Sequence, residues 1–147
     1  MNKFYWILLT FAIGALLPIQ AGINSRLSRA AANPLYASLI SFFVGIVALS
    51  VYIALSRQSF SWAGIKEAPA YVWLGGILGA VYVTIVLLSF QHLGPGLTFG
   101  LIVAGQMMLS AVLEHFNILV FQQQSINIYK IGGMLLIIAG VMLIKKS

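Results

Sequence analysis

The sequence contains no cysteine and just two acidic residues, Glu67 and Glu114, in 147 positions. Without cysteine there is neither a disulfide framework nor a thiolate metal site, and the redox compartment is left open. Charged residues amount to 7%, against about 25% in an average soluble domain. Too few charges remain to cover a surface facing water, so soluble, disordered and collagen-like classes are excluded. Eight Lys and Arg set a formal net charge of +6, but they are scattered and form no patch of the kind that grips nucleic acid. No nucleic-acid partner is expected. What the chain has in abundance is apolar side chains, 61% of the total. That composition belongs in a lipid bilayer.

A helix crossing a hydrocarbon core of about 30 Å needs about 20 apolar residues. Five stretches meet this: Phe4 to about Ile23, about Pro34 to Leu55, Tyr71 to Phe90, about Leu97 to Leu119, and Ile128 to Ile144. The runs are continuous rather than alternating, which argues for helices and against barrel strands. The expected fold is therefore all-α, one polytopic membrane bundle of five helices forming a single domain over 1–147. Asn33-Pro34, the polar stretch from Arg57 to Pro69, Gly94-Pro95-Gly96 and Gln122 to Ser125 punctuate it, with a tight turn expected at Gly94-Pro95-Gly96. The first run begins like a signal peptide, but it is longer than a signal core and no small-x-small site follows, so it is read as a span.

Five spans place the chain ends on opposite sides of the membrane. The N-terminal side then carries Lys3, Arg57, Lys66 and Lys130, and the other Arg26, Arg29, Lys145 and Lys146. Orientation follows an excess of Lys and Arg in short cytoplasmic loops, and here the two sides balance. An odd number of helices paired with an inverted copy makes an inverted repeat, the arrangement many transporters use to alternate access. A homodimer is expected, antiparallel or of dual topology. Trp6, Trp62 and Trp73 fall near the N-terminal side with Tyr5 and Tyr71, as in an interfacial aromatic belt.

Polar side chains inside a membrane are costly, so their positions are informative. In the fourth run Gln106, Ser110, Glu114 and Asn117 fall within about 80° of one another at helical periodicity, a stripe suited to a water-accessible wall or a helix contact. Glu114, the sole carboxylate near any span, suits proton coupling or a cationic partner if desolvated; the other reading ends this helix near Leu113, with Glu114 at the interface. Gln20 and Asn24 lie one turn apart after Pro18 and could bind substrate or fasten helices. Tyr82 follows Gly75 and Gly79 along one face, and a buried phenol needs a partner. Gly75, Gly79, Gly96, Gly100, Gly133 and Gly140 are read as helix-packing positions. Arg26 and Arg29 reach toward lipid headgroups, or hold an anionic substrate. His92, His115 and one Glu are too sparse for a metal site, and no catalytic set is present. No cofactor and no enzymatic activity are expected.

Several of these segments resemble a known family. Gln20-Ala-Gly-Ile-Asn24, Pro34-Leu-Tyr-Ala-Ser-Leu-Ile-Ser-Phe42, Trp73-Leu-Gly-Gly76 through Tyr82, and Gly105-Gln106-Met-Met-Leu-Ser110 running into Glu114-His115-Phe116 are similar to the YdcZ-type inner-membrane exporters. These belong to the drug/metabolite transporter superfamily, whose last repeat helix Gly132 to Ile144 also resembles. The resemblance implies a bacterial inner-membrane protein made of one five-helix repeat. Longer relatives carry two such repeats, inverted, and small multidrug-resistance relatives pair as antiparallel dimers. The family pattern reads acid-His-Phe-Gly, usually with Asp, where this chain has Glu114 and Asn117. The essential Glu that small multidrug exporters carry in their first span has no counterpart here.

Together these readings point to a small secondary transporter of a metabolite or drug-like solute, probed through Gln20, Asn24, Tyr82, Gln106 and Ser110 and coupled through Glu114. A non-transporting subunit or modulator of a larger membrane assembly is the main rival, and a channel-like pore a third.

Overall fold

The computed structural model describes residues 2–146. Among these every regular element is helical. Helix α1, Lys3–Ala30, opens where the Asn2 side chain accepts from the Phe4 amide at 3.2 Å. Its 28 residues measure about 42 Å at 1.5 Å per residue, longer than a hydrocarbon core of about 30 Å. Helix α2, Pro34–Ser56, starts where the side chain of Asn33 accepts from the Leu35 amide at 2.8 Å. Pro34 at its first turn lacks an N–H that would have gone unpaired there.

The polar stretch after α2 folds further than a plain loop. Ser61 caps a short helix α3, Trp62–Lys66, by accepting from the Gly64 amide at 3.2 Å. A turn of 3-10 helix, Ala70–Trp73, then leads into α4, Leu74–His115. Within α4 the break expected at Gly94-Pro95-Gly96 is confined to Gly94, with φ 76° and ψ 167°. The last helix, α5, is Ile128–Ile144, capped by the Asn127 side chain accepting from the Lys130 amide at 2.9 Å. Three helical stretches are long and apolar enough to cross a membrane, Lys3–Ala30, Pro34–Ser56 and Ala70–His115, and Ile128–Ile144 is a shorter apolar helix.

The chain divides into two compact units, one up to Gln91 and one from His92 onward. In the first, α1 packs on α2, and the buried side chains of α1 are Ala21, Asn24, Ser25 and Ser28, a stripe of small and polar groups. Such side chains let helix backbones approach closely in lipid, where apolar burial supplies no drive. Two hydrogen bonds tie in the first half of α4: Thr84 Oγ1 donates to Ser38 Oγ at 3.0 Å, and Gln91 Nε2 to Ser28 Oγ at 3.2 Å. Elsewhere apolar side chains are turned outward, as with Phe11 at 80% and Leu55 at 79% exposure. On a bilayer-embedded chain those are contacts for lipid or for a partner helix.

In the second unit the glycines of α4 meet α5. A Cβ on Gly100 would lie 3.0 Å from Val141 Cγ2, and one on Gly96 would lie 3.5 Å from Ile144 Cγ2. A Cβ on Gly133 meets nothing within 4 Å. Gly133→Ala should therefore gain up to about 1 kcal/mol from helix propensity. Gly100→Ala should fall below it by about 1–3 kcal/mol, because Val141 is stiff at χ1 and the contact is overpacked. Thermal melts of the two variants in one detergent check this, and equal melting points would refute the contact.

Candidate functional site

The first unit holds two hollows beside α1. One, of about 290 Å³, is lined by Gln20 of α1, by Ser41, Phe42, Gly45, Ile46 and Leu49 of α2, and by Val83 of α4. Its volume lies near the lower end for small-molecule sites, about 300–1,000 Å³. Its walls are apolar apart from one amide and one hydroxyl. Gln20 supplies two donors and an acceptor, and Ser41 a group that can do either. The hollow exists because Gly45 leaves room in α2 and because the Phe42 ring turns toward Gly79, 3.9 Å from where a Cβ there would sit. The second hollow, about 620 Å³, runs beside Pro18, Gly22 and Phe90 to Arg26 and Arg29.

Of the residues singled out from the sequence, Gln20 lines the smaller hollow. Asn24 is buried at 5% exposure in the α1 stripe, one turn beyond it. Tyr82 is 36% exposed; its neighbour Val83, not Tyr82, lines the Gln20 hollow. Gly79 faces Phe42, whereas a Cβ on Gly75, Gly133 or Gly140 would meet nothing within 4 Å. The polar residues that sequence reasoning missed are Ser38, Ser41, Thr84 and Gln91. The Ser38/Ser41 spacing at the start of an apolar run was the available signal.

Gln106 and Ser110 belong to the second unit, both exposed and one turn apart on α4. Glu114 lies further along, where the carboxylate receives Lys130 Nζ at 2.6 Å. Lys130 also donates to the Gln124 carbonyl at 3.2 Å. Both side chains are partly exposed, 25% for Lys130 and 30% for Glu114. Beside them Gln123 Nε2 donates to the His115 carbonyl at 2.8 Å, and the Ile126 amide donates to His115 Nδ1 at 3.4 Å. The segment between α4 and α5 is thus fastened to the end of α4 by side chains.

The expected polar stripe is shorter than periodicity implied. The fourth run ends its helix at His115 rather than Leu119, and Asn117 does not continue the face of Gln106, because its φ is 55°. The Ile118 amide donates to the Leu113 carbonyl at 2.9 Å and the Asn117 amide to the Glu114 carbonyl at 3.4 Å. That pair of bonds is a Schellman ending with Asn117 at the left-handed position, which glycine fills most often and asparagine next. Upstream, Thr98 is 2% exposed and its hydroxyl has no partner among the described residues. A helical threonine normally donates three or four residues back, and four back is Gly94, which has left helical geometry. Among the described residues no group of three or more His, Cys, Asp or Glu could hold a metal ion.

Sequence comparison supplies the family. The family model described as "Putative inner membrane exporter, YdcZ" matches residues 5–143. The chain belongs to that family. It is 27% identical to "Inner membrane protein YdcZ" of Escherichia coli (strain K12) over 119 residues, 80% of this chain and 79% of that one. No solved structure matches it. A YdcZ-family chain with three helical stretches able to cross a bilayer is an inner-membrane protein of the transporter kind, and its family is not an enzyme class.

Proposed function

We propose that the chain is a small secondary-active exporter of a metabolite or drug-like solute, working as a homodimer of two inverted copies and driven by the proton gradient. The observation that carries this reading is the Gln20–Ser41 hollow: an amide and a hydroxyl turned into a cavity between apolar helices of an exporter-family protein. A polar group in that setting is costly without a hydrogen-bonding partner, and a transiently bound solute supplies one. Asn24 and Tyr82 of the same unit are assigned to the binding set with Gln20, and Gln106 and Ser110 are assigned to solute contact on their own face of α4.

The five-helix reading counts α4 as two spans: its 42 residues suffice for two crossings of about 20 residues each, and it breaks near its middle at Gly94. Inverted pairing is supported by the balance of four cationic side chains on each side. Gly75 and Gly140, open within one copy, leave room for helices of the second. Coupling is assigned to Glu114: a proton on its carboxylate would release Lys130 and free the segment after α4.

Purified protein in liposomes with an imposed proton gradient tests the assignment against a panel of labelled solutes. Gln20→Leu should cut the initial rate about tenfold, the loss of about 1.4 kcal/mol expected when one hydrogen bond to a desolvated solute is removed, while leaving the melting temperature in place. Absence of gradient-driven flux for every solute, together with a heteromeric rather than homodimeric crosslink in native membranes, would replace this reading with a subunit of a larger assembly.

A further inference from the structure

The larger hollow has the dimensions and chemistry of a lipid seat. Pro18, Gly22, Arg26 and Arg29 share one side of α1, and the hollow follows them along the helix against Phe90 of α4. From Pro18 to Arg29 the helix rises about 16 Å, close to half of a 30 Å hydrocarbon core and so to one leaflet. The slot is apolar along its length and cationic at one end. It stays open because Gly22 has no side chain; a Cβ there would already stand 3.8 Å from the Phe90 ring.

The two guanidinium groups are uncommitted. Among the described residues the ion pair joins Glu114 to Lys130, and neither Arg26 nor Arg29 has an acidic partner there. Both are exposed on the last turns of a helix that outruns the apolar layer, the depth at which lipid phosphates lie. Guanidinium binds phosphate oxygens through paired N–H donors, and Ser25, also on the lining, adds a hydroxyl.

We infer that this groove binds an acidic glycerophospholipid, its phosphate held by Arg26 and Arg29 and an acyl chain laid along Pro18, Gly22 and Phe90. The apolar length selects lipid over a soluble phosphate, and the cation pair selects an acidic headgroup over a zwitterionic one. Separate from the Gln20–Ser41 hollow, the seat can be occupied whether or not the chain moves a solute.

Native mass spectrometry of the purified, delipidated full chain tests it, titrating phosphatidylglycerol, phosphatidylcholine and glycerol 3-phosphate. Phosphatidylglycerol should bind most tightly. Arg26→Gln and Arg29→Gln should each weaken it about fivefold, the usual worth of one basic residue at an anionic membrane surface. Gly22→Leu should displace the acyl chain and weaken binding with both arginines in place, whereas Lys66→Gln should leave it unchanged. Wild-type affinity in both arginine variants, or in Gly22→Leu, would overturn the seat. So would displacement of the lipid by equimolar glycerol 3-phosphate, which would mark a site for a soluble anion.

Discussion

Replacing Gly94 by alanine is expected to destabilise the protein by about 1–3 kcal/mol, the cost of holding a side chain in a backbone region that glycine alone adopts readily. With φ 76° and ψ 167°, the residue lies in that region, and nothing within 4 Å would meet the added Cβ. Steric room is therefore not the issue, and the substitution isolates backbone strain. Relaxation into helix is obstructed as well, because Pro95 crowds the residue before it out of the α region. The remaining route is an extended conformation with negative φ, which re-aims the chain at the middle of α4. Gly94→Ala should consequently lower the melting temperature by several degrees and depress transport more than stability alone explains. Pro95→Ala should restore part of both in the double variant, since it lets position 94 turn helical. A Gly94→Ala protein that melts and transports like the parent would show that this break is not required.

Reversing the charge of either partner in the Glu114–Lys130 pair should do comparable damage. Glu114→Lys or Lys130→Glu puts like charges where 2.6 Å now separates a carboxylate oxygen from an ammonium nitrogen. Because both groups are partly solvated, the pair itself is worth about 1 kcal/mol or less; enforced repulsion at that separation is worse, about 1–3 kcal/mol after the side chains move apart. The double reversal, Glu114→Lys with Lys130→Glu, should recover the melting temperature. It should not recover gradient-driven flux if Glu114 takes the proton, since the carboxylate has then moved to α5. Full recovery of both would reduce the pair to a fastener for the segment between the helices. Unchanged melting in the single reversals would remove even that role.

Helix starts were legible because they depend on neighbouring residues. Pro34 and the onset of the apolar run at Ile128 marked the starts of α2 and α5, and the Asn33 and Asn127 side chains that the structure shows capping them accept from amides only two or three residues on. The end of α4 was less so. Asn117 keeps the spacing of a helical polar face, and periodicity does not distinguish a residue that continues a helix from one that closes it in the left-handed conformation. Lys130 was assigned to a membrane side but not to a partner, since 16 positions separate it from Glu114 and the segment between has to fold back to join them. Gln20 was named from its own helix, while Ser41 was not, because the register of α2 against α1 decides which hydroxyl faces the amide.

By itself the sequence determined the solvent of this protein and its helical class, since these follow from totals and runs: too little charge for water, and apolar stretches whose backbone must bond to itself; its family rests instead on the match of whole segments over residues 5–143. Tertiary structure alone decided which polar groups are spent on holding helices together, as with Ser28, Ser38 and Glu114, and which are left over, as with Gln20, Ser41, Arg26 and Arg29. The physical reason is that a hydrogen bond or ion pair belongs to two residues at once, and their meeting depends on helix register and chain reversal rather than on either residue's identity.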